Sequence, residues 1–257
     1  MPEFTSYPAG TPSWTDLASP DLAASNAFYG ALFGWEPDDQ GPDAGHYTML
    51  RKQGKAVAGA GPIMMEGQPP AWTTYVAVDD ADETVDLAKK AGAAVFVEPM
   101  DVMDVGRMAI FADPTGAALG IWQAKNFKGA ELANEPGSFV WNELQTRDLP
   151  AAKEFYTSVF GWQPNDMEMG EMSYTEWKKG DASVAGMMAM PAEVPSEVPS
   201  YWLVYFGVDD TDATVSKATG LGAGALVPPT DIPPGRFAVL MDPSGATFAV
   251  IKTKTAG

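Results

Sequence analysis

Over Ser13–Ala18, Trp14 and Asp16 alternate with Thr15 and Leu17, the two-residue period of a strand with two different faces. A longer period follows. Ser19-Pro20-Asp21 supplies a cap and an early proline, and Leu22, Phe28, Tyr29, Leu32 and Phe33 then carry a helix to a stop at Gly34. Thr73–Val78, rich in β-branched and aromatic residues, predicts another strand. Asp80-Ala81-Asp82-Glu83 has the spacing of a capping box, opening a helix that runs to Ala91-Gly92. Val95–Val97, Arg107–Ala112 and Ala117–Trp122 complete the set as strands, the last two joined by the turn Asp113-Pro114-Thr115-Gly116.

The same series then occurs again. Residues 14–35 and 141–162 share W-x-[DE]-L, D-L, F-Y and F-G-W in one register, offset by 127 positions. Trp72 through Val78-Asp79-Asp80 matches Trp202 through Val208-Asp209-Asp210. Gly106-Arg107 and Asp113-Pro114-Thr115-Gly116-Ala117 match Gly235-Arg236 and Asp242-Pro243-Ser244-Gly245-Ala246. Two homologous halves follow, residues 1–126 and 137–257, each long enough to hold its own core. The polar stretch 127–136, with glycine and proline, reads as a linker between them.

These motifs, in this order and in two copies, resemble the vicinal oxygen chelate superfamily, which includes glyoxalase I, extradiol dioxygenases and bleomycin- and fosfomycin-resistance proteins. The resemblance implies an α+β fold: tandem glyoxalase/bleomycin-resistance-type domains, each of paired βαβββ modules with a curled mixed sheet around a cavity. In metal-dependent members the ligands come from the first strand, the strand after mid-domain and a glutamate on the last strand. Here those positions fall on or beside Trp14, Thr73 and Gly120, and on Trp141, Leu203 and Ala249. None of these side chains binds a transition metal, and the chain has a single histidine, His46, and no cysteine. The expectation is therefore no metal and no other cofactor, with a shifted site built on Asp16, Glu143 or His46 as the alternative.

If the family's strand phase holds, Trp14, Asp16, Tyr75 and Trp122 point inward in the first half, and Trp141, Glu143, Gln145, Tyr205 and Ile251 in the second. With the ligand positions replaced, the cavities are expected to be larger on one wall and aromatic on another, the usual lining of a small-molecule pocket. Asp16 and Glu143, each two residues after a tryptophan, are candidate polar anchors or general bases, and His46 a third candidate base. Arg107 and Arg236 occupy matched positions and would either pair with carboxylates or anchor an anionic ligand at the rim. Met64-Met65, Met100, Met103 and Met187-Met188-Met190 are expected to rim the cavities.

Composition narrows the partners. A formal charge of −18 repels phosphate backbones and anionic lipid, and no apolar run reaches the roughly 18–20 residues of a membrane span. Nucleic acid and membranes are therefore not expected partners. The start, Met1-Pro2-Glu3-Phe4, lacks a signal-peptide pattern and the chain lacks cysteine, so a cytoplasmic location is expected. Together these features point to a metal-independent protein, monomer or homodimer, that sequesters or carries a hydrophobic or aromatic small molecule. The alternative is a glyoxalase-, isomerase- or hydroxylase-like enzyme using a carboxylate base in the cavity.

Overall fold

The computed structural model describes residues 4–64, 67–169, 172–192 and 194–254. In the first half the elements run β1 (Pro12–Ser19), α1 (Leu22–Phe33), β2 (Glu36–Asp39), β3 (Thr48–Lys52), β4 (Lys55–Pro62), β5 (Ala71–Ala77), α2 (Ala81–Lys90), β6 (Ala94–Val102), β7 (Gly106–Ala112) and β8 (Ala118–Ala124). The second half repeats them as β9 (Phe139–Thr146), α3 (Leu149–Phe160), β10 (Gln163–Met169), β11 (Met172–Lys179), β12 (Ala182–Ala189), β13 (Tyr201–Gly207), α4 (Thr211–Gly220), β14 (Gly224–Ile232), β15 (Gly235–Met241) and β16 (Thr247–Thr253). Each half forms one mixed eight-stranded sheet, in the orders β2-β3-β4-β1-β5-β8-β7-β6 and β10-β11-β12-β9-β13-β16-β15-β14. The strand that opens each module therefore lies at the sheet centre.

Local chemistry sets the helix ends, although α1 opens two residues later than a Ser19 cap with Pro20 in the first turn would place it, and Pro20 precedes the cap. Asp21 and Asp148 cap α1 and α3 by accepting from the backbone N–H of Ala24 and Ala151. Gly34 and Gly161 end those helices at φ 74° and 67°, in the left-handed region that glycine enters without steric cost. Asp80 accepts from Glu83 N at the start of α2. None of the helices among the described residues is long and apolar enough to cross a membrane.

The two sheets pack back to back, and the cores are not divided as expected. One apolar cluster joins Phe28, Tyr29, Leu32, Trp35 and Trp72 of the first half to Val204, Phe206, Ala218 and Phe248 of the second. Another joins Val76, Val85, Phe111, Leu119 and Ile121 to Phe155, Tyr156, Trp162, Trp177 and Trp202. Each cluster thus spans both halves, so neither half buries its apolar face alone.

Matched polar bonds pin this packing. Trp72 Nε1 donates to Tyr29 Oη at 2.9 Å, and Tyr29 donates across the interface to Asp242 Oδ2 at 2.8 Å. The mirror set is Trp202 to Tyr156 at 2.9 Å and Tyr156 to Asp113 Oδ2 at 2.7 Å. Asp113 Oδ1 meanwhile accepts from the N–H groups of Thr115 and Ala117, shaping its turn. The F-Y and D-P-[TS]-G motifs are therefore two ends of one bond. Trp35 and Trp162 donate to the carbonyls of Gly137 and Gly10 in the opposite half.

The stretch expected as a linker is packed. Ala130, Leu132 and Ala133 are buried, and the N–H groups of Ala130 and Glu131 donate to Ser13 O and Ala56 O. Its polar composition concealed three small or apolar residues that plug the first half.

Tyr156→Phe leaves Asp113 Oδ2 and the Trp202 indole N–H buried without their partner, at a cost of about 2–4 kcal/mol for the two groups. Urea denaturation should show this loss in one transition that both halves share. Two separate transitions would show that the halves do not depend on each other.

Candidate functional site

The face of each sheet turned away from the other half carries a carboxylate at its centre. In the first half the phase is set by pairing: Trp14 lies opposite Tyr75, Asp16 opposite Thr73 and Gly59, and Tyr75 opposite Gly120. Directly opposed residues share a face, so Trp14, Asp16 and Tyr75 stand together there. Trp122, two residues after Gly120, joins them. Tyr47, just before β3, donates to Asp16 Oδ2 at 3.2 Å and accepts from Trp14 Nε1 at 2.9 Å. The Tyr75 hydroxyl also donates to Asp16.

The second half repeats the arrangement with a longer acid. Glu143 Oε1 accepts from Tyr205 at 2.8 Å and from Gln145 Nε2 at 2.6 Å, and the Tyr174 hydroxyl also bonds to the carboxylate. Trp141 Nε1 donates to Tyr174 at 2.9 Å. Leu203, Tyr205, Val239, Ala249 and Ile251 form an apolar cluster around this group, with Trp141, Tyr201 and Phe237 packed against it. The nine inward-facing residues expected from the sequence therefore lie on the outer faces as two matched groups.

Two forces act on these carboxyls. Removal from water favours the neutral acid, whereas the tyrosine hydroxyls favour the anion. Burial wins at both sites: Asp16 is pushed up to about 6, and Glu143 is raised. Burial and the neighbouring acid drive the hydroxyls of Tyr47, Tyr75 and Tyr205 well above their ordinary value, so they remain donors.

Sequence reasoning missed Tyr47 and Tyr174. The signal was present in Tyr47-Thr48 and Tyr174-Thr175, which recur at the same 127-residue offset. Gly59 and Gly186 share that offset too, and a Cβ at either would overlap the tyrosine hydroxyl above it. Phe127 was also missed. Its ring meets Trp14 edge-on at 4.8 Å, and its carbonyl accepts from Trp122 Nε1 at 2.9 Å.

The description "Glyoxalase/Bleomycin resistance protein/Dioxygenase superfamily" belongs to a family model that matches residues 11–121 and 138–250. The chain belongs to that superfamily. It is 46% identical over 259 residues to "Putative glyoxylase CFP32" of Mycobacterium tuberculosis, covering 98% of both proteins. Its identity to anthracycline biosynthesis protein DnrV of Streptomyces peucetius is 40% over 266 residues, covering 98% of this chain and 96% of that one. The fold is similar to the Mn(II)-bound glyoxalase from Novosphingobium aromaticivorans, with a TM-score of 0.64 at 18% identity, covering 95% of this chain and 82% of that one.

The superfamily's metal does not fit the residues present. At Gly120, where the last-strand glutamate would stand, a Cβ would lie 2.3 Å from the Tyr75 ring. Leu203 and Ala249 offer no donor in the second half. Each central carboxylate is instead engaged by two tyrosines, and among the described residues no three of His, Asp and Glu gather as a metal-binding group.

In the first half the wall opened by the glycines is filled, because Tyr75 covers Gly120, Tyr47 covers Gly59 and Trp122 covers Gly106. A groove of about 290 Å³ lies instead between the halves, near Phe33, Lys52, Gly207 and Lys217. Its lysines already donate to the carbonyls of Pro136 and Leu32.

Three other candidates stand apart from the outer faces. His46 is on the surface and bonds Asp39 Oδ2 at 3.0 Å. Arg107 grips Asp82 in a two-pronged bond and Arg236 grips Asp212 likewise, the carboxylate pairing that was one of the two expected roles. Of the methionines, Met187 is in the back core, Met188 pairs with Gln145 on the outer face, and Met64, Met100 and Met103 are exposed. Met65 lies outside the described residues.

The raised Asp16 has a definite pH signature. The folded chain holds this proton more tightly than the unfolded chain, whose aspartate titrates near 4. Asp16 therefore stabilises the fold most on the acid side, and that contribution is lost as pH rises from about 4 through about 6. Relative to Asp16→Asn, the wild type should lose stability across that window, and a carboxyl carbon resonance should titrate near pH 6. A flat difference between the two proteins would contradict the assignment.

Proposed function

We propose that the chain is a metal-independent small-molecule-binding protein of the glyoxalase/bleomycin-resistance type, which sequesters or carries a hydrophobic, aromatic ligand on its outer sheet face. One observation carries the reading: Glu143 lies buried in an apolar wall, held by two tyrosines and a glutamine and, among the described residues, with no cation against it. Keeping a carboxyl in such a wall is costly, and a bare hydrophobic residue would pack there at less expense. Its retention in both halves is explained if it receives a hydrogen bond from a ligand that the apolar wall holds.

Of the named relatives, "Putative glyoxylase CFP32" favours the enzyme reading given below, whereas the other is compatible with binding. The latter is an anthracycline biosynthesis protein, and anthracyclines are planar, hydroxylated aromatic compounds. The reading places the work in the cytoplasm, which the cysteine-free sequence supports, with the chain as monomer or homodimer. A second reading has its own support. A carboxyl titrating near 6, as at Asp16, is suited to proton abstraction near neutral pH, as a glyoxalase-, isomerase- or hydroxylase-like enzyme would require.

Titration of chelator-treated protein with 1,8-dihydroxyanthraquinone, followed by calorimetry, tests the binding reading. Glu143→Gln should weaken binding by about 1–3 kcal/mol while leaving the melting temperature nearly unchanged. Unaltered affinity with a large loss of stability would make Glu143 a structural residue and overturn the proposal. Consumption of the probe would favour the enzyme.

A further inference from the structure

The two outer faces have the same plan but differ in what covers them. Seven of the chain's eight tryptophans are at most 7% exposed, and Trp141 is the one that remains partly exposed. Its counterpart Trp14 is sealed. Phe127 lies edge-on against Trp14, and its ring also meets Trp122 at 6.0 Å. The segment is fixed there by Ala130 N donating to Ser13 O. Gly129 makes the close passage possible: at φ 117°, a Cβ would sit 2.4 Å from Ser13 O.

Among the described residues of the second half, no aromatic ring packs on Trp141 as Phe127 packs on Trp14. Trp122 is matched by the smaller Ile251, and the position matching Phe127 is Ala256, which has no ring and lies outside the described residues. The Trp141 indole is also held ready, because its N–H is committed to Tyr174 and its ring is thereby oriented beside Glu143. The groups acting on Glu143 are Tyr205, Tyr174 and Gln145, none of them cationic. A neutral ligand that donates a hydrogen bond suits this site, and an anionic one does not.

Resting on the binding reading above, we propose that only the second half's outer face receives a ligand, a neutral planar aromatic that stacks on Trp141 and offers a hydroxyl to Glu143. The first half is a self-plugged copy whose aromatic platform is occupied by Phe127.

Acrylamide quenching of tryptophan fluorescence tests the asymmetry without any ligand. The wild type should show one quencher-accessible component, Trp141→Phe should abolish it, and Phe127→Ala should add a second by uncovering Trp14. Persistence of the accessible component in Trp141→Phe would overturn the proposal. Titration with 1,8-dihydroxyanthraquinone should saturate at one molecule per chain and shield that component. Trp141→Ala should weaken this binding about tenfold, the scale of a lost aromatic stack. Two equivalent probe sites per chain would defeat the asymmetry while leaving the binding reading intact, whereas no binding at all would defeat both.

Discussion

A sheet must bury one face, and in this chain the face that each half buries is completed by the other half. The Tyr29–Asp242 and Tyr156–Asp113 bonds fix that arrangement, because each joins a helix of one half to a turn of the other in a buried setting. Two apolar clusters grow around them, and each draws residues from both sheets. The two tandem domains are therefore packed on shared apolar clusters rather than joined by their connecting segment alone.

Spending the inner faces on each other leaves the outer faces to carry chemistry. There the fold centres a carboxyl on the first strand of each half and surrounds it with tyrosines and an indole. Burial raises the acid's pKa, and the tyrosine donors act in the opposite direction. The space that the family's metal and its ligands would need is taken by the same tyrosines. On the metal-independent reading, the missing metal ligands and the aromatic cluster are two sides of one arrangement. The two halves differ in that Phe127 closes over Trp14, whereas among the described residues no ring packs on Trp141.

Much of this was legible in the sequence. The caps at Asp80 and Asp148 and the stops at Gly34 and Gly161 depend on neighbouring residues alone, so their short-range signals sufficed, whereas at α1 the cap fell on Asp21 and not Ser19. The strand phase that brings Asp16 and Glu143 beside their tryptophans was also readable, because alternation is local. What escaped notice depends on contacts distant in sequence. Tyr47 reaches Asp16 across 31 residues, and Phe127 covers Trp14 from beyond a hundred. The packed joint at 127–136 misled for a related reason: composition reports polarity, whereas Ala130, Leu132 and Ala133 are buried by what happens to lie beneath them. Arg107 and Arg236 were open to two readings that only the position of Asp82 and Asp212 could separate.

On the proposed reading, a tyrosine-held carboxyl in an aromatic wall stands in place of the superfamily's metal centre. Elemental analysis of the chain, produced in medium supplemented with zinc, manganese and iron and dialysed against a chelator, tests it most directly. The account predicts transition metal well below one equivalent per chain, with stability unaffected by the dialysis. About one equivalent per half, retained through the chelator and lost only on unfolding, would contradict it.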